Sequence, residues 1–169
     1  AVINGMNMIL VPAFTPPLDT PLNGERMTVQ LVKAEYRNGS YSFDFSLMKK
    51  YIDICKRCGI KYFEHSHFFT QWGARSAPKI IVKTGDKEIK MFGWKTKATG
   101  EKYVTFLRRY ITELKRFLAA EGLNGKMLFH ISDEPNGEQL ESYLAAKNVA
   151  VKYLKDCKII DALSEFEFY

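Results

Sequence analysis

The chain has 169 residues, enough for one hydrophobic core and one ordinary domain. Its apolar fraction of 46% and charged fraction of 26% are those of a globular protein, and no apolar run approaches the length of a membrane span. The net charge of +6 permits nucleic-acid binding, but Lys102, Arg108, Arg109, Lys115 and Arg116 are dispersed as on solvated faces, so neither nucleic acid nor membrane is expected as a partner. Ala1 is not a natural initiator, so the chain reads as a single domain, 1–169, cut from a larger protein, and its compartment is open.

Met6 to Val11 is an apolar run ending at Pro12 and reads as a strand. A proline-rich connection follows. Thr28 to Tyr36 and Ser40 to Phe43 then flank Asn38-Gly39, a strong hairpin signal. Phe45 to Cys58 reads as an amphipathic helix with Leu47, Met48, Tyr51, Ile52 and Cys55 on one stripe, Asp44 as its cap and Gly59 as its stop. Ile60 to Ser66 is the next strand. Lys79 to Thr84 and Lys87 to Phe92 flank Gly85-Asp86 as a second hairpin. Gly100 to Glu121 is a helix that buries Val104, Leu107, Ile111, Leu114 and Leu118. Met127 to Ile131 is a strand. Glu138 to Asp156 is a helix with Leu140, Tyr143, Leu144, Val151 and Leu154 inward. Lys158 to Ile160 starts another strand, and Leu163 to Tyr169 is a short aromatic tail.

Strands alternating with helices mean parallel strands joined by crossovers, and right-handed crossovers keep consecutive helices on one side. The class is α/β. The expected architecture is a partial (β/α)8 TIM-type barrel with β-hairpin insertions in the βα loops, the alternative being an open α/β sheet. Only about three and a half strand–helix units are present, against the ~250 residues of a closed barrel. No Gly-x-Gly-x-x-Gly follows any strand, so a dinucleotide site has no support, and no cofactor is expected. The open edges of such a sheet would suit pairing with a second copy.

Met127 to Asn136 turns from apolar to polar and delivers Asp133 and Glu134 before Pro135. The proline ends the ladder and is expected to hold the residue before it extended. Strict alternation puts His130, Ser132 and Glu134 on one side and Met127, Phe129 and Ile131 on the other. Two close carboxylates drive each other's pKa values apart, which divides an acid from a charged partner, as glycoside cleavage requires. The plain structural alternative has Asp133 capping the next helix and Glu134 paired with a lysine.

The three histidines, His65, His67 and His130, all fall at C-terminal ends of strands, the face that carries chemistry in barrels. They are candidate hydrogen-bonding groups for a polar substrate. His65 and His67 also have the spacing of two ligands on one strand, so a metal site with Asp133 is the weaker alternative. Trp72 and Trp94 offer flat surfaces for a sugar ring, or else pack the hairpins. Cys55-Lys56-Arg57-Cys58 has redox spacing, but the C-terminal end of a helix disfavours a thiolate, so plain packing is expected there.

Phe129-His130-Ile131-Ser132-Asp133-Glu134-Pro135 resembles the catalytic strand of glycoside hydrolase family 123, the β-N-acetylgalactosaminidases, which overlap a broad bacterial family of unknown function. Phe43-Asp44-Phe45-Ser46, Cys58-Gly59-Ile60-Lys61-Tyr62, Gln71-Trp72-Gly73 with Ala77-Pro78, and Tyr103-Val104-Thr105-Phe106-Leu107 are similar to that family's central barrel, in the same order. The resemblance implies a retaining, substrate-assisted glycosidase acting on glycans with a terminal N-acetylhexosamine. Glu134 would serve as acid and base, and Asp133 would orient the 2-acetamido group. His65, His67, Trp72, Trp94 and His130 are the candidate substrate-binding residues. The alternative is a non-catalytic carbohydrate-binding or scaffold domain that keeps the barrel architecture.

Overall fold

A computed structural model describes residues 2–18 and 20–163. After a single turn of 3-10 helix at Val2–Asn4 come β1 (Met8–Val11), β2 (Lys33–Arg37), β3 (Ser40–Asp44), α1 (Ser46–Arg57), β4 (Tyr62–His65), β5 (Ile80–Thr84), β6 (Lys87–Phe92), α2 (Glu101–Ala120), β7 (Met127–Phe129), a 3-10 turn at Gly137–Gln139, α3 (Leu140–Val151) and β8 (Lys158–Ile159). The aromatic tail expected at Leu163 to Tyr169 lies outside the described residues from position 164 onward.

β1, β4, β7 and β8 form a parallel sheet in sequential order, with Val11 beside His65 and His65 beside Phe129. The α/β class and the parallel strands are as the alternation predicts. The sheet is open, with β1 and β8 as its two edges among the described residues. Its two faces differ. Val11, Phe63, Met127 and Phe129 are buried, whereas their neighbours Leu10, Glu64 and Leu128 are half-buried and Tyr62 and Lys158 exposed. The buried set faces the helices, as the two-residue period requires.

Both hairpins lie in strand-to-helix connections, as expected. They also join each other, which the sequence does not announce. The order β3-β2-β5-β6 makes one four-stranded sheet, with β2 and β5 parallel through Ala34–Val82 and Glu35–Lys83. β2 starts at Lys33 rather than Thr28 because the Gln30 side chain takes over the ladder. Its Oε1 accepts from Ile81 N and its Nε2 donates to Ile81 O, both at 2.9 Å. This second sheet is fixed to α2 by rings: Tyr41 and Phe43 meet Phe106 at 5.1 and 5.5 Å between centroids. More than half of the described aromatic residues are buried in the hydrophobic core as a whole.

α1 buries Met48, Ile52 and Cys55, while Leu47 lies off the stripe and is exposed. Asp44 Oδ1 accepts from Ser46 N at 2.8 Å, and that hydrogen bond lowers the Asp44 pKa. Gly59, at φ +91°, lets Ile60 N return to Cys55 O at 3.0 Å and close the helix. α2 buries Tyr103, Phe106 and Tyr110 besides Leu107, Ile111, Leu114 and Leu118, with Val104 only half-buried. α3 departs most from expectation. It is shorter and buries Tyr143, Ala146 and Ala150, while Leu144 is exposed. Tyr143, Ala146, Ala150 and Leu154 are spaced by three, four and four residues and form the true inward stripe.

Candidate active site

The chain leaves β7 after Phe129 but continues to pair. Phe68 N donates to His130 O at 3.2 Å and Phe69 N to Ile131 O at 3.0 Å. Ser132 is fully buried and donates to Thr70 O at 2.9 Å. The segments after β4 and β7 are thereby laced together, and they carry Gln71 to Asp133. Gln71 Nε2 donates to Asp133 Oδ2, while Gln71 Oε1 accepts from Thr20 N at 3.2 Å. Asp133 is half-buried and oriented through its neighbour's amide; it caps no helix. Asn136 and Gln139 cap each other instead, in a reciprocal box at the 3-10 turn.

Glu134 differs on every count. Its side chain is exposed, and no ion pair or hydrogen bond engages it among the described residues. Its φ is +36°, not the extended value expected ahead of a proline. A non-glycine residue in this region costs about 1–3 kcal/mol and persists only where surrounding structure enforces it. Here Pro135 is buried behind it, and Ser132 is pinned ahead of it. Trp72, Gly73 and Ala74, at φ +63°, +84° and +56°, form a second constrained segment beside the pair. Gly73 sits where an added Cβ would lie 2.8 Å from both Gln139 Cβ and Ser142 Oγ, so the Gln71 loop is wedged against the start of α3.

Beneath the acids lies a charged cluster. His130 Nδ1 is 3.2 Å from Asp161 Oδ1, and its Nε2 is 2.8 Å from Glu64 Oε1. The Nε2 contact lies off the line of a hydrogen bond and is an ion pair. Asp161 also accepts from Ile131 N at 2.9 Å and from Tyr143 O–H at 2.5 Å. Burial works against a charge on His130, but the Asp161 and Glu64 carboxylates outweigh it and push its pKa up to about 9. His130 is therefore an imidazolium at neutral pH. The same contact lowers Glu64. His67 lies against His130, with ring centroids 4.5 Å apart. Burial and the nearby His130 charge lower its pKa to about 4, so it is neutral.

His65 does not join this cluster. It shares the helix-facing side of the sheet with Phe63 and is fully buried. Its Nδ1–H donates to Ser66 O at 2.5 Å, and its Nε2 accepts from Tyr110 O–H at 2.7 Å. Burial lowers its pKa to about 3. His65 and His67 thus do not share a side, because β4 ends at His65 and the chain turns. Among the described residues no group of three side chains has the geometry of a metal site. Trp72 is half exposed beside Gln71, with its Nε1 donating to Thr20 O at 3.2 Å. Trp94 is tied elsewhere: its Nε1 donates to Gly24 O and its carbonyl accepts from Ser76 Oγ, both at 2.8 Å. It lines a small cleft with Pro16, Pro17 and Lys79. Cys55 is buried and Cys58 exposed, both free thiols.

Sequence reasoning missed Glu64, Gln71 and Asp161. A signal existed for two of them. Glu64 is a carboxylate set inside a strand, between Phe63 and His65. Asp161 follows the fourth parallel strand at the end where Asp133 follows the third. No helix among the described residues is long and apolar enough to cross a membrane.

No curated protein matches the chain in sequence. Among solved structures, the chain is similar to a family 123 glycoside hydrolase from Clostridium perfringens, described for glycolipid glycan hydrolysis. The TM-score is 0.61 at 12% identity, and the match covers 92% of this chain but 27% of that one. The sequence pattern of the glycoside hydrolase 123 catalytic domain matches residues 2–169. The chain belongs to the glycoside hydrolase 123 catalytic-domain family.

Proposed function

We propose that this chain carries the acid–base residues of a retaining glycoside hydrolase that removes terminal β-N-acetylgalactosamine by substrate-assisted catalysis. The observation that carries the reading is the unequal footing of the pair. Asp133 is held by the Gln71 amide, whereas Glu134 is exposed on a constrained backbone with no partner among the described residues. A group that only orients benefits from being fixed; one that gives and takes a proton needs an open path.

In the first step Glu134 protonates the glycosidic oxygen. The 2-acetamido oxygen attacks the anomeric carbon as the bond to the aglycone breaks. Asp133, charged and oriented, accepts the amide N–H and stabilises the oxazolinium-type intermediate. In the second step Glu134, now a carboxylate, takes a proton from water, which opens the intermediate with overall retention. No protein nucleophile is required, so the usual spacing of two flanking carboxylates does not apply. Trp72, exposed beside Gln71, offers a ring on which a sugar can stack. The sequential parallel sheet is read as part of a (β/α)8 barrel, whose sites lie at the C-terminal strand ends. That the similar Clostridium perfringens enzyme acts on glycolipid glycans agrees with a glycan substrate.

The test is hydrolysis of an aryl β-N-acetylgalactosaminide by the full-length protein. Glu134→Gln is expected to lose the reaction with a poor leaving group by about 10²–10⁴-fold, the span of general acid catalysis. Asp133→Asn is expected to lose it while still binding the sugar. Undiminished turnover by Glu134→Gln removes the residue from the acid role. The openness of the sheet favours one rival, a carbohydrate-binding scaffold without catalysis. It predicts sugar binding but no turnover in the wild type.

A further inference from the structure

Resting on that reading, we propose that His67 is the specificity-determining contact for a ring hydroxyl of the sugar bound beside Asp133, and that this ring must be uncharged. His67 is only 5% exposed, yet among the described residues its Nδ1 has no hydrogen-bond partner. A buried polar atom left unsatisfied costs free energy and calls for a reason. Nothing on the neighbouring elements supplies the missing bond. His130, whose ring lies against it, holds Asp161 through Nδ1 and faces Glu64 through Nε2 as an ion pair. Asp133 accepts from Gln71 through Oδ2, Asp161 accepts from Ile131 N, His130 and Tyr143, and neither carboxylate is in hydrogen-bond geometry with His67 Nδ1. His67 is thus held on its carbon face with polar capacity left over.

Its ionic surroundings say what kind of ligand fits. The groups that act on His67 are the carboxylates of Asp133, Asp161 and Glu64 and the imidazolium of His130. Three negative charges against one positive leave this spot acidic in a chain whose net charge is +6. A neutral imidazole there offers one donor and one acceptor, which is the complement of a sugar hydroxyl. A sulfate or uronate on the same ring would meet like charge in a partly desolvated place. The inferred substrate class is therefore a neutral hexosamine, with His67 reading one of its hydroxyls.

The experiment uses the full-length protein and a series of aryl β-N-acetylgalactosaminides: the parent sugar, its 3-, 4- and 6-deoxy forms, and its 6-sulfate. His67→Phe keeps the ring volume and removes both nitrogens. It is expected to lower kcat/KM on the parent sugar about tenfold, the value of one hydrogen bond. One deoxy sugar should be turned over equally by wild type and variant, because the bond is already absent. Asn places a polar atom near Nδ1, and Gln places one near Nε2, so rescue by one of the two identifies the nitrogen. The 6-sulfate is expected to react at least tenfold more slowly in the wild type. Equal losses across the whole deoxy series mean that His67 only supports the fold, and overturn the inference. Equal turnover of the sulfated sugar overturns the charge selection. If the wild type turns over none of these glycosides, the hydrolase reading fails, which is a separate outcome.

Discussion

Asp161→Asn isolates the charge that organises the base of the site. The Asp161 side chain is 2% exposed and receives Ile131 N at 2.9 Å, His130 Nδ1 at 3.2 Å and Tyr143 O–H at 2.5 Å. Asparagine keeps the shape and one oxygen but removes the charge. Hydrogen bonds to charged groups contribute about 1.5–3 kcal/mol and neutral ones about 1, so three such bonds predict a loss of about 2–4 kcal/mol. His130 gives an independent figure. A rise from 6.5 to about 9 corresponds to about 3 kcal/mol, shared between Asp161 and Glu64, which both act on the ring. The sign follows from the folded pKa lying above the unfolded one. This contribution is fully present below pH 6.5 and is lost as pH rises through 9. Urea unfolding followed by tryptophan fluorescence should show the gap between wild type and variant narrowing across that range, by less than the full shift because Glu64 still pairs with His130. Proton NMR should show His130 titrating lower in the variant. A gap that stays constant with pH, or a wild-type His130 that titrates near 6.5, refutes the clamp.

Gln71→Leu should lower kcat/KM about tenfold by releasing Asp133, with little change in stability because the side chain is only half-buried; unchanged kinetics would show that Asp133 needs no positioning. Gly73→Ala should cost about 2–4 kcal/mol, since it adds both a left-handed alanine and a Cβ 2.8 Å from Gln139 and Ser142. A thermal melt within a degree of wild type would contradict it. Tyr110→Phe leaves His65 Nε2 unpaired in the core and should cost about 1–3 kcal/mol with KM unaltered. His65 and His67 bind protons less readily folded than unfolded, so their contribution is present above pH 6.5 and falls as pH drops towards 4. His65→Phe should flatten that acid limb; an unchanged limb would assign it to other groups.

Much of the site could be read in advance because it depends on local order. The turn from Phe129 to Pro135 places two acids at the end of a parallel strand, and the hairpins declare themselves through Asn38-Gly39 and Gly85-Asp86. The residues that support those acids could not be read the same way. Glu64, Gln71 and Asp161 come from three other connections, and each matters only through what it meets. The inward face of α3 is hidden from the sequence for the same reason. Leu144 looks more apolar than Ala146, but Tyr143 must reach Asp161, and only small side chains let the helix approach.

Pattern and composition determined the α/β class, the parallel strands, the hairpin insertions and the end of the molecule where Asp133 and Glu134 emerge. These follow from periods of 2 and 3.6 and from turn residues, which act over a few positions. The tertiary structure decided which histidine serves which purpose. His65 and His67 are two residues apart, yet one is sealed against Tyr110 and the other lies on His130. The strand ends between them, and where it ends is set by β1 and β7 on either side, through pairings more than fifty residues away in the chain. The tertiary structure also separated the two acids. Asp133 found Gln71, and Glu134 was left open because Ser132 and Pro135, both buried, allow its backbone no other course.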